Sequence, residues 1–290
     1  MENKFGTGAI IDTQDPRDYR FTDFIGKSAQ FDWNKGFDIE AFLGFKIPVK
    51  NQYQSSSCGG QAVSYYGGVL EHVASKTFEN RSARWVYAQA FAPGGGSNMR
   101  PLMKVVTDQG WAEEVSVPSI KDNDAPEEFM TQLNDVTQDV RDAAMSAEAK
   151  SYAIVNSNID EIALAIQNNY GCILGISGEN NGTWFTAFPQ VPNTPSWGHW
   201  VYVGKAKIIN GKKYIGILNS WGTEVGEQGW QWLGEEWFTT KVVYPNQNAI
   251  TAVWYGWTII FDNESLRNSV RLSIIAKLKK IIELLTLLKK

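Results

Sequence analysis

Apolar residues recur at helical spacing after Cys58, where Ala62, Tyr66, Val69 and Val73 mark one side of a predicted helix. A second helical stretch, near 82–91, runs into Pro93-Gly94-Gly95-Gly96-Ser97, a sequence that suits only an irregular loop. Another helix is expected from Pro101. Asp124, Pro126 and the acids Glu127 and Glu128 then open a further helix, in which Phe129, Leu133, Val136, Val140 and Ala143 form a single apolar stripe. From Ser157 a capped helix follows, with Asp160 and Glu161 in its first turn, an apolar side of Ile159, Ile162, Ile166 and Tyr170, and a stop at Gly171.

Beyond Gly171 the pattern changes to strands. Residues 172–176 read as a buried strand, 199–209 and 213–219 are joined by an Asn210-Gly211 hairpin turn, and 229–233 add another. Helices thus dominate the first half and sheet the second. Residues 1–30 are polar and broken by Asp15-Pro16-Arg17-Asp18-Tyr19, so they read as an extended segment without a core of its own; core-like sequence starts at Phe31-Asp32-Trp33. At the other end Ile274, Leu278, Ile281, Leu285 and Leu288 alternate in steps of four and three, the pattern of an amphipathic helix over 265–290. The divisions are 1–30, 31–150, 151–264 and 265–290.

Charge sharpens the last division. The 265–290 stretch carries seven Lys and Arg against Glu283 alone, a net of +6 in a chain of −4, so the rest carries −10. An apolar seam of this kind has to be covered, and self-association, docking on a partner and contact with a membrane surface are the three covers it suits. The body has no basic, aromatic-interleaved patch, which argues against nucleic acid as a partner. With 290 residues and 43% hydrophobic content the chain can fill a core without staples. Its two cysteines, Cys58 and Cys172, could not build a multi-bridge framework in any case. No apolar run reaches about 18 residues and the N-terminus has no secretory core, so a cytoplasmic or otherwise non-Sec setting is expected, with no cofactor and no metal.

Candidate chemistry rests on few residues. Cys58, in Ser55-Ser56-Ser57-Cys58-Gly59-Gly60, stands at a predicted helix start, where free amides and the helix dipole favour a thiolate; the bland alternative is a small core residue. Cys172, in an apolar strand, fits that alternative. Of the two histidines, His72 lies roughly 20 Å along the helix from Cys58 and reads as a surface residue, which leaves His199 as the base. The hairpin brings His199 and Asn219 to one end of a ribbon. A strict two-residue turn would set His199 opposite Gly222, about 10 Å along from Asn219, so the pair needs a bulge or strong twist.

In order and context, Val49-Lys50-Asn51-Gln52, then Cys58, Gly198-His199 and Asn219-Ser220-Trp221-Gly222 resemble the papain and cathepsin cysteine peptidases, over about residues 31–240. The resemblance implies an α+β, two-lobe papain-like fold. A helical lobe and a β-barrel-like lobe would flank the active-site cleft, with the 265–290 helix as an extra. It implies Cys58 as nucleophile, His199 as base and then acid, Asn219 as orienter of the imidazole and Gln52 as oxyanion donor. Trp221 would cover the bond between His199 and Asn219. Gly95 and Gly96 fall where the family pairs with a substrate backbone, although a plain turn explains them as well. A thiol protease acting on peptide or protein substrates through an acyl-enzyme is the implied function; a papain-like body serving as a binding or assembly protein, docked through its last helix, is the alternative.

Several positions depart from the family pattern. Gly59 replaces the aromatic that usually follows the nucleophile, Ser55 replaces a disulfide cysteine, and 126–150 reads as an insertion. In place of a long inhibitory prosegment there is the 1–30 segment, similar to the leaders of some bacterial members and expected to cross the surface and the cleft as a short latch.

Overall fold

The structure is a computed structural model in which residues 5–26, 29–245 and 248–260 are described; the expected 265–290 helix lies outside them. Helices α1 (Ile39–Leu43), α2 (Cys58–Ser75), α3 (Ala83–Tyr87), α4 (Met99–Asp108), α5 (Glu127–Met130) and α6 (Gln138–Met145) precede α7 (Ile159–Asn169) and α8 (Glu236–Thr239). Short strands β1 (Ala9–Ile10), β2 (Phe37–Asp38) and β3 (Ser97–Asn98) are interleaved with them. Then come β4 (Tyr152–Val155), β5 (Cys172–Gly178), β6 (Trp197–Ile209), β7 (Lys212–Leu218), β8 (Trp230–Gly234), β9 (Lys241–Val242), β10 (Ile250–Thr251) and β11 (Val253–Ile259).

The main sheet is antiparallel, in the order β4-β11-β5-β6-β7-β8, with β2 also pairing to β6. Its strands read as continuous apolar runs because both faces are covered. Ile173, Trp200, Tyr202 and Trp257 join one core against α2, with Tyr66, Val69, Trp85 and Leu102. Their neighbours Leu174, Ile176, Val201, Val203, Ile215 and Ile217 point the other way, into a second core under α7 with Ile162 and Ile166. Each fully buried side chain of this size contributes about 1.5–3 kcal/mol. Tyr66 ties helix to sheet, its hydroxyl lying 2.8 Å from the carbonyls of Asn169 and Gly171 and 2.9 Å from Thr258 Oγ1.

The expected helix start near 157 is set by Asn158, whose side chain accepts from the amides of Asp160 and Glu161. The single helix expected after Asp124 is instead two pieces, α5 and α6. Met130 and Ala144 are buried in separate clusters, and between the two helices Asp135 turns aside to pair with the buried Arg84 (2.8 Å). His72 is not a surface residue: it is half-buried and stacks on Phe45 with ring centroids 5.5 Å apart.

Candidate active site

Cys58 opens α2, and His199 and Asn219 come from β6 and the end of β7. The hairpin turn pairs Ile209 with Lys212, but the register shifts between Val203 and Lys205, so that Tyr202 faces Leu218. Continued at that register, His199 would stand level with Trp221, two residues from Asn219 rather than three. A diagonal reach of that length is within range of two side chains, and His199 Nε2 lies 2.9 Å from Asn219 Oδ1.

The neighbours of Asn219 fix which atoms carry protons. Gln231 Nε2 donates to the carbonyls of Trp184 (2.8 Å) and Thr186 (2.9 Å), which can only accept. Gln231 Oε1 therefore accepts from Asn219 Nδ2 at 2.8 Å. Asn219 Oδ1, turned the other way, accepts from the Ser220 amide at 2.8 Å and from His199, so the imidazole proton sits on Nε2. His199 Nδ1 is left as a bare, buried lone pair without a hydrogen-bond partner. Trp221 stacks on the imidazole at 4.6 Å and 30°, keeping water from its bond to Asn219.

The backbone of Trp200, Gly8, Gly59 and Cys58 itself favours the thiolate form of the Cys58 sulfur. Even so, the side chain is fully buried, and desolvation pushes the thiol up to about 12. Burial likewise pulls His199 down to about 4, only partly offset by its bond to Asn219. In this state the Cys58 thiol and the His199 imidazole are both neutral. Cys172 is also fully buried, and its thiol is also raised by desolvation.

Gln52 is fully buried, with Oε1 accepting from Ser220 Oγ (2.6 Å) and its backbone N–H donating to the Ser220 carbonyl (2.8 Å). Nε2 is thereby aimed at the carbonyls of Ser55 (2.8 Å) and Gly6 (3.0 Å). Gly6 belongs to the segment expected to act as a latch. Its carbonyl also receives Trp221 Nε1 at 3.2 Å, while Phe5 stacks on the Trp221 ring at 5.5 Å and 11°. Past the sulfur, Ser97 N–H donates to the Gly8 carbonyl at 2.8 Å, and β1 runs parallel to β3 beside Gly95 and Gly96. Both loop glycines have positive φ, +95° and +78°, and a Cβ on Gly96 would fall 2.4 Å from the Gly8 oxygen.

Sequence reading passed over Gln231 and Ser220, which orient the two amides of the site. Ser220 stood within the Asn-Ser-Trp-Gly motif and could have been found there; Gln231 carried no local signal. Trp200, too, was missed. It borders Gly59, where a Cβ would meet Leu102 Cδ1 at 2.4 Å, Ser97 Oγ at 2.6 Å and Trp200 Cδ1 at 3.3 Å, so no side chain larger than hydrogen fits at that position. Among the described residues no cluster of His, Cys, Asp or Glu is arranged to hold a metal.

No family model and no curated protein sequence matches the chain. Solved structures do. Xylellain, a cysteine protease from Xylella fastidiosa, superposes with a TM-score of 0.71 at 21% identity, over 89% of this chain and 97% of its own. Bromelain from Ananas comosus, solved with the inhibitor E64, gives 0.58 at 18% over 78% and 99%. Procathepsin B S9 from Trypanosoma congolense gives 0.61 at 13% over 88% and 87%. With helices ahead of an antiparallel sheet and Cys58, His199 and Asn219 contributed from both, the chain has the papain-like cysteine protease fold.

Proposed function

We propose that the protein is a papain-like cysteine endopeptidase held in a closed state by its own N-terminal segment. The observation that carries the reading is the proton arrangement at His199: a fixed Nε2–H on Asn219 and a bare, buried Nδ1, one residue from Trp200, which shares a buried cluster with Cys58. Nδ1 takes the thiol proton as Cys58 attacks a peptide carbonyl, then returns it to the leaving amine; water resolves the acyl-enzyme by the same route. Gln52 Nε2 and the Cys58 amide hold the oxygen of the tetrahedral intermediate, a contribution of about 3 kcal/mol per donor. Endopeptidase rather than exopeptidase action is supported by the way a continuous chain, from Phe5 to Ile10, passes through the cleft on both sides of the sulfur.

The same segment is the latch. Gly6 occupies the Gln52 donor and Gly8 the sulfur, so no substrate carbonyl reaches either until the segment leaves. Cys58→Ala is expected to abolish the appearance of internal fragments from an unfolded protein substrate while circular dichroism stays unchanged. Digestion surviving in that variant would overturn the assignment.

A further inference from the structure

The walls of the channel around residues 5–10 are made of backbone. A Cβ on Gly6 would fall 1.9 Å from the Ser55 oxygen and 2.6 Å from that of Gln54; one on Gly8 would fall 2.2 Å from the Ser56 oxygen and 2.9 Å from Gly96 Cα. These are main-chain atoms flanking the start of α2, held in place by Gln52 Nε2 on the Ser55 carbonyl (2.8 Å) and by Glu127 Oε2 on the Ser56 amide (2.6 Å). They cannot swing aside as a side chain would.

The wall beyond Gly8 is closed by an aromatic side chain. A Cβ on Gly198 would meet Trp254 Cη2 at 2.4 Å and the Ala9 carbonyl at 2.7 Å. Trp254 is pinned there, donating from Nε1 to Ser177 Oγ (2.8 Å) and standing edge-on to Trp200 at 5.6 Å. Ala9 packs against the core cluster that contains both rings. The Trp254 indole and the Ala9 carbonyl thus lie together over Gly198.

We propose that the cleft is a gauge for small residues. Its substrates are polypeptides with glycine at the position contacting Gln52 and again two residues on, followed by alanine or smaller, and Trp254 is the specificity-determining residue. This rests on the peptidase reading for its chemistry but not for its geometry: any second chain entering the channel meets the same Ser55, Ser56, Gly96 and Trp254 walls.

Two measurements test it on the full chain. Gly6→Val and Gly8→Val cannot be seated, so each should expel the segment and raise the rate of Cys58 alkylation by iodoacetamide at least about tenfold, with Thr7→Val unchanged. In the Gly8→Val chain, an internally quenched peptide containing Gly-Thr-Gly-Ala should be turned over at least about tenfold faster, by kcat/KM, than one containing Leu-Thr-Leu-Leu, and Trp254→Ala should narrow that ratio. Equal turnover of the two peptides, or Cys58 still shielded in both valine variants, would overturn the gauge. If Cys58 is exposed yet neither peptide is cut, the peptidase reading fails separately, and binding of the two peptides by fluorescence polarisation then decides the gauge: preference for the glycine peptide upholds it and equal binding refutes it.

Discussion

At the scale of single residues, the site depends on which way two amides face. Asn219 presents Oδ1 to His199 only because Gln231 accepts from its Nδ2, and Gln231 is turned that way by two backbone carbonyls. Gln231→Leu removes the acceptor while keeping most of the volume, leaving a buried N–H unpaired at about 1–3 kcal/mol. Flipping the Asn219 amide would present a donor to the imidazole at the cost of the Ser220 N–H bond, so either orientation leaves the ring less firmly held. Turnover should then fall about ten- to a hundredfold with little change in KM, as for loss of an orienting group; unchanged turnover would remove Gln231 from the account.

His199 also sets a dependence on pH. Its pKa in the closed state is about 4, below the ordinary 6.5, so the unfolded or opened chain binds the proton more readily. The contribution to closed-state stability is therefore complete above pH 6.5 and is lost as pH falls from 6.5 toward 4, reaching about 3 kcal/mol. The thermal midpoint should drop over that window by more in the wild-type chain than in His199→Gln. Parallel pH profiles for the two would contradict the assignment.

Among the elements, the N-terminal segment is held by a clasp as well as by the cleft. The α4 N-cap residue, Asn98, makes no capping bond through its own side chain. Asp12 does this from the segment, accepting from the amides of Met99 and Arg100 at 3.1 Å and from the Tyr255 hydroxyl at 3.2 Å. Arg100 closes the clasp, donating to Asp18 at 2.9 and 2.5 Å and to the Thr13 carbonyl at 2.8 Å. Asp12→Ala should cost about 0.5–2 kcal/mol, the usual value of a cap, and speed proteolytic removal of the segment. Proteolysis at the wild-type rate would show that the cleft alone holds it.

Elements with a strong period, a local cap or a hairpin turn were legible: α2 by its period, α7 by its Asn158 cap, and β6 with β7 by the Asn210-Gly211 turn. Those decided by distant partners were not. The stripe from Phe129 to Ala143 is continuous in sequence, yet the helix is broken where Asp135 meets Arg84, 51 residues away. Strand β11 went unread although its run of aromatic and β-branched residues carried a signal; it lies inside the edge of the sheet, between β4 and β5. The cap that Asp12 supplies across 87 residues has no local trace.

For the whole molecule, the fold was legible because four short motifs in fixed order imply two lobes, and the structure brings those motifs to one place. Gln52 meets Ser220, His199 meets Asn219, and Cys58 shares a buried cluster with Trp200, the residue after His199. Sequence suggested that residues 1–30 cross the cleft, but not that two glycines thread it, because fit between backbones depends on walls that no motif encodes. Under the proposed function the site is dormant, with the Cys58 thiol buried and Gly6 bound to Gln52.

The most direct test is to treat the full chain and the Gly8→Val chain with an epoxide that traps papain-type thiolates, and to locate the label by peptide mass spectrometry. The account predicts label on Cys58 alone, slow in the wild-type chain, faster once the segment is displaced, and lost in His199→Ala. Label shared equally with Cys172, or a Cys58 rate indifferent to His199, would contradict it.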